Sequence, residues 1–121
     1  MFRFENFELD EERLGELEDL DYALYAWDWA VDNWHRAAQD YNKMKAAHEV
    51  KWNAKKIARI NSGMSVSKAE IDVTKDPLWE EEYINITNAG VYLQEKKEKI
   101  GIARAAFEAV RTDQVSKRAV R

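Results

Sequence analysis

Seven apolar residues, Leu20, Leu24, Trp27, Val31, Trp34, Ala38 and Tyr41, follow one another at alternating intervals of four and three. An α-helix advances about 100° per residue, so this spacing gathers all seven on one stripe, whereas a strand would scatter them over two faces. Neither glycine nor proline interrupts the chain between Leu20 and Gly63. The pattern therefore predicts a first long helix over 17–61, its approach beginning near Asp10. His48 and Trp52 stay close to the stripe, while Met44, Ala47, Ala54 and Ile57 predict that the seam drifts later in the helix.

The stop is "NSGMS", where Gly63 can take the left-handed conformation that closes a helix. A connector over 62–75 follows, with Ser65 or Ser67 placed to cap one short turn. Asp76 as N-cap, Pro77 at the first helical position and Glu80, Glu81 and Glu82 in the early turns mark the start of a second helix over 76–119. Ile86, Ala89, Leu93, Ile100, Ala103, Phe107 and Val110 carry its apolar stripe. Gly90 and Gly101 interrupt it, each at about 1 kcal/mol relative to alanine, and leave room for close approach of another helix. Two long helices on a short connector fold back on each other. The expected fold class is all-α: one helical domain over 1–121, an antiparallel hairpin with an arm and helix start over 1–16 and a short helical connector. The arm "MFRFENFEL" has no second strand to pair with, so it is expected to dock its apolar side chains on its own hairpin or on a neighbour.

The chain has 121 residues, one proline, no cysteine, 35% charged residues and a mean hydropathy of -0.69. These values favour solvated helices without disulfides or a cysteine zinc site, and a hairpin of this size buries little core alone, so a homo-oligomer is expected. No secretory signal or membrane span is read, which points to a cytoplasmic protein without membrane contact. Catalysis is not expected either. There is no cysteine nucleophile, G-x-S-x-G, P-loop or Rossmann glycine pattern, and His35 and His48 stand thirteen apart, unlike an i, i+4 metal pair. No metal and no cofactor are anticipated.

Charge is segregated along the chain. Residues 1–32 carry a net -9, 33–59 a net +5, 60–100 a net -3 and 101–121 a net +3. An antiparallel hairpin sets Lys43, Lys45, Lys51, Lys55, Lys56 and Arg59 beside Glu80, Glu81 and Glu82, so the blocks pair or else form a basic face for polyanions. The second helix also spaces Lys97, Arg104, Arg111 and Arg118 every seven residues, with Lys117 and Arg121 beyond. In "YALYAWDWAVDNW", Trp27 and Trp34 belong to the seam, whereas Tyr22, Tyr25 and Trp29 point to the opposite side. Asp21, Asp28 and Asp32 beside these rings repel phosphate, so Tyr22, Tyr25 and Trp29 read as an oligomer interface rather than a base-stacking platform.

The succession of "EVKWNAKKIARINSG", "MSVSKAEIDVTKDP" and "KIGIARAAFEAVRTDQVSKR" over about 49–118 resembles the UvsY-like recombination mediators of T-even phages. The likeness lies in a lysine-rich helix ending in Ser-Gly, a charged connector with a Ser-x-x-Glu element, and a second helix with late I-x-x-x-R and F-x-x-x-R spacing. The resemblance implies a non-enzymatic, ring-forming phage recombination accessory that binds single-stranded DNA and works with a recombinase and a single-strand-binding protein. The nucleic-acid-binding residues it implies are Lys51, Lys55, Lys56, Arg59, Lys68, Arg104, Arg111, Lys117 and Arg118. The acidic, aromatic first third has no counterpart in that family. It suggests an alternative, a phage inhibitor or protein-interaction module acting through that third; a structural coiled-coil assembly component is a further one.

Overall fold

The computed structural model describes Phe7, Leu9 and residues 18–119, without the side chains of 118 and 119. Among these residues there are three helices and no strand: α1 over Asp19–Asn61, α2 over Val66–Thr74 and α3 over Pro77–Ala119. The fold is an all-α helical hairpin with α2 in its connector. The helix start expected near residue 17, the remainder of the arm, the side chain of Arg118 and Arg121 lie outside the described residues.

Local chemistry explains the helix ends. Gly63 has φ 111°, and the Gly63 N–H donates to the Ile60 carbonyl at 3.0 Å while the Met64 N–H donates to the Arg59 carbonyl at 3.1 Å. These two bonds form a Schellman motif and satisfy carbonyls that the end of α1 leaves open. Ser65 caps α2, its hydroxyl accepting from the Lys68 N–H at 3.3 Å. The connector thus holds nine helical residues rather than one short turn, because Ala69 and Val73 bury a face. Asp76 caps α3, its carboxylate accepting from the Leu78 N–H at 2.9 Å.

The chain divides into two compact units, one drawn from Met1–Arg36 and Gln94–Arg121, the other Ala37–Leu93. The first is organised around small residues. Ala26, Ala30, Ala103 and Phe7 form its buried cluster, with Leu9, Trp27, Trp29 and Ile100 packed against it. Trp27 meets Phe107 with ring centroids 5.4 Å apart, and Phe7 meets Trp29 at 5.1 Å. Phe7 and Leu9 therefore dock on the hairpin of their own chain. The seam is offset from the expected stripe. Tyr22 and Ala23 are fully buried, whereas Leu24 is 50% exposed. Alanines let helices approach closely, and Phe7 and Leu9 pack against the cluster that Ala26 and Ala30 form with Ala103.

The second unit has a different inner face. His48, Lys51, Trp52, Lys55, Lys56 and Arg59 recur at intervals of three, one, three, one and three, a single face of α1, and this face turns toward α2 and the start of α3. Ala54 and Ile57 are exposed, so the seam does not drift onto them, while Met44 and Ala47, also exposed, line the cleft that His48 shares with Glu82 and Ile86. Higher in the unit Gly90 faces Tyr41, where an added Cβ would stand 3.4 Å from the ring. Gly101, in the first unit, faces nothing within 4 Å, so only Gly90 accommodates a close approach.

Candidate functional site

The densest polar arrangement in the described chain centres on Glu82. One carboxylate oxygen accepts from Lys51 Nζ at 2.5 Å; the other accepts from Trp52 Nε1 at 2.7 Å and lies 3.2 Å from His48 Nδ1. All three partners come from consecutive turns of α1. Trp52 is buried, so its indole N–H needs an acceptor inside the fold, and Glu82 supplies it. The hydrogen bonds from Lys51 and then from Trp52 hold the Glu82 carboxyl at about 2, well below the usual carboxylate range, with His48 adding to the effect and partial desolvation opposing it. A carboxylate held ionised only accepts, so Nδ1 of His48 carries the proton in this contact.

Aromatic rings and further ion pairs surround this hub. The His48 ring lies 6.0 Å from Trp52 and 5.7 Å from Trp79, and Trp79 stacks on Tyr83 at 5.1 Å with 7° between planes. Lys55 Nζ stands 4.5 Å from the Trp52 ring centroid. Arg59 Nε donates to Asp72 at 2.6 Å, and Lys56 pairs with Glu70 at 3.5 Å, so two carboxylates of α2 meet the end of α1. Lys55 reaches Asp76, the cap of α3, at 3.9 Å.

Lys51, Lys55, Lys56 and Arg59, expected to contact nucleic acid, are thus brought together, and each faces a carboxylate of its own chain. The block-pairing expectation holds in outline. Of the glutamates at 80–82 only Glu82 turns inward to α1, while Glu70, Asp72 and Asp76 take the remaining cations. Lys68 lies exposed on α2, with no ion pair among the described residues. In the other unit Arg104 pairs with Glu108 at 3.5 Å and Lys117 with Asp113 at 2.9 Å, both one turn apart and well exposed, and Arg111 is exposed beside them without a described ion pair.

The three residues assigned to an interface diverge. Tyr22 is fully buried within the chain and has no surface left for another subunit, which corrects its assignment. Trp29 is half-buried, faced by Phe7 and approached by Lys96 and Lys99 at 5.7 Å each. Tyr25 alone stays open, 49% exposed. Sequence reasoning missed His48 and Glu82 as partners. The signal was present in the face His48, Lys51, Trp52, Lys55, Lys56, Arg59, whose ionisable residues need acids wherever the helix is covered.

Chemically the hub is a lock. Its carboxylate faces three donors and is far from the pKa of a general acid at neutral pH. The clefts on either side of His48 have volumes of about 180 and 260 Å³, below the ~300–1,000 Å³ of small-molecule pockets. Among the described residues no group of three or more histidines and carboxylates is placed to hold a metal ion, and no helix is long and apolar enough to cross a membrane.

Part of what remains open on α1 is apolar. With the cations turned inward, the outer side of α1 carries Ala46, Val50, Ala54, Ile57 and Ala58, all exposed, and exposed Ala47 stands at its edge, on the rim of the cleft it shares with His48, Lys51 and Glu82. On α3, Ile84 and Val91 are exposed as well. No family model, curated protein or solved structure matches this chain.

Proposed function

We propose that this chain is a non-catalytic helical interaction protein that works through the outer faces of its hairpin. One observation carries the reading: in the unit Ala37–Leu93 the charged face of α1 is engaged internally, while Val50 at 71% and Ile57 at 53% exposure stand on the opposite face. A solvated helix normally has the reverse polarity, with charges outward and aliphatics inward. Uncovered aliphatic side chains in a row favour association with protein. The test places a charge on each outer face separately, as Val50→Glu on α1 and Val91→Glu on α3. Solution size and binding to native protein partners are then compared with the parent chain. The reading expects at least one substitution to abolish association, and falls if neither changes it.

A second reading keeps the resemblance to the phage recombination mediators. It is favoured by Lys68 and Arg111, which are exposed and lack a described ion pair, and by Arg104, whose pairing with Glu108 is a weak surface contact. Arg104 and Arg111, with Lys97, follow a heptad along α3, a spacing suited to a phosphate backbone. On this reading the chain binds single-stranded DNA with little sequence preference and assists a recombinase in displacing a single-strand-binding protein. Arg104→Ala/Arg111→Ala should then weaken binding to a labelled oligonucleotide and flatten its salt dependence. Absence of binding at low salt removes this reading.

A further inference from the structure

The exposed face of α1 has an internal symmetry. Ala47, Val50, Ala54 and Ile57 recur at intervals of three, four and three, the spacing of a coiled-coil seam, and all four are exposed. In the forward direction the order is small, large, small, large. In reverse it is large, small, large, small. A second α1 laid antiparallel on the first therefore sets Ala47 against Ile57 of the second copy and Val50 against its Ala54. Each bulky side chain meets an alanine, and each alanine is filled.

The flanks fit the same arrangement. Ala46 and Ala58 widen the small-residue surface at its two ends, so the backbones can approach closely. Asn53 comes to face Asn53 of the second copy, an amide pair that can donate and accept in both directions. Lys51 lies on the other flank near the same level, but its ammonium is already held by Glu82 at 2.5 Å, so it does not meet its counterpart as an uncompensated charge. No charged residue occupies the seam between Ala47 and Ile57. A parallel pair would instead set alanine against alanine and Ile57 against Ile57, leaving alternate gaps and crowding.

We propose that the occupant of this face is a second copy of the chain, with α1 antiparallel to α1 about a twofold axis level with Trp52. The proposal rests on the interaction reading and names its partner. A surface that complements itself under a twofold rotation is what an isologous dimer requires, whereas an unrelated protein partner would not demand the palindromic order of sizes. Eleven residues of helix contact, Ala47 to Ile57, lie at the small end of specific interfaces, so the dimer forms and dissociates with concentration.

Sedimentation equilibrium of the full chain over a wide concentration range should show a reversible monomer–dimer equilibrium, and Val50→Glu should abolish it. The chain has no cysteine, so introduced thiols report geometry without background. Ala47→Cys and Ile57→Cys are prepared separately and treated with a short bis-maleimide, alone and mixed. The mixture should couple severalfold more efficiently than either variant alone. Equal coupling of each variant with itself would indicate a parallel pair and overturn the proposal, as would a monomer at every concentration. If Val50→Glu leaves the dimer intact while Val91→Glu disrupts it, the self-contact belongs to α3. This proposal then fails while the interaction reading stands. Val50 is exposed, so its substitution should leave helicity by circular dichroism unchanged; if it does not, the two cysteine variants, which retain Val50, decide.

Discussion

The two units of this hairpin are held by opposite means. In Met1–Arg36 with Gln94–Arg121, fully buried alanines and paired aromatic rings do the work, and the carboxylates near Trp27 and Trp29 stay at the surface. In Ala37–Leu93 the buried side chains are few, mainly Trp52, Ala69 and Val73, and four cations of one helix face are each matched to a carboxylate. Burial of carbon contributes in proportion to area and is insensitive to moderate salt, whereas half-exposed ion pairs contribute little each and are screened. One chain thus contains a unit built mainly on buried carbon, with the ammonium stem of Lys96 buried in it, and another whose ion pairs make it the more responsive to pH and ionic strength. The price of the second arrangement is visible on its outside, where aliphatics take the positions that charges would normally hold.

Substitution of the one large buried ring in the second unit should have the greatest effect. Trp52→Ala removes a side chain that is 4% exposed and the indole donor to Glu82, and should lower unfolding free energy by ~3–5 kcal/mol in urea titrations. A loss below ~1 kcal/mol would mean that Trp52 is not the core of its unit. Overpacking tests the first unit in the same way. Ala26→Leu should cost ~1–3 kcal/mol, because Ala26 is fully buried in a helix contact, and the cost should be the same at low and high salt.

Glu82→Gln addresses the pH response. The Glu82 carboxyl sits at about 2 in the folded chain, below the ~4.3 of an unfolded glutamate. Its contribution is therefore complete above the unfolded value and is lost as pH falls from there toward 2. Thermal melts of the parent chain should decline across that acidic window, and the Gln variant should show a shallower decline. An unchanged acid limb would remove Glu82 from the account. The smallest effect is expected for Lys56→Gln, which deletes one half-exposed pair with Glu70, worth ~0–1 kcal/mol and reduced further by added salt.

Helix ends were the most legible part of the fold in the sequence, since capping depends on a few adjacent residues. Gly63, Asp76 and Pro77 stand where they were expected, and Ser65 takes the cap for which Ser67 was the other candidate. The face that α1 turns inward was harder to read. Counting large apolar side chains favours Leu24, yet the residues that bury completely beside it are Tyr22 and Ala23, and the cluster one turn on is built on Ala26 and Ala30, where small residues allow close approach. In the second half of α1 the same count favoured Met44, Ala47, Ala54 and Ile57, all of them exposed. There the inner face is chosen by carboxylates supplied from α2 and α3. The pairing of charge blocks was readable from their order along the chain, but its partners were not. Asp72 and Glu70 reach α1 only because the connector forms a helix of nine residues, which one expected turn does not provide.

Gly90 and Gly101 stand eleven residues apart in the same helix, yet their surroundings differ. The ring of Tyr41 backs Gly90, while Gly101 has open space where a side chain would be. A glycine with nothing against it lowers helix stability by about 1 kcal/mol and offers no contact in return. The consequence lies in time rather than in architecture. The backbone of α3 should open locally around Gly101 more often than around Gly90, so amides there exchange with solvent first, and Gly101→Ala should slow that exchange without altering the packing of either unit.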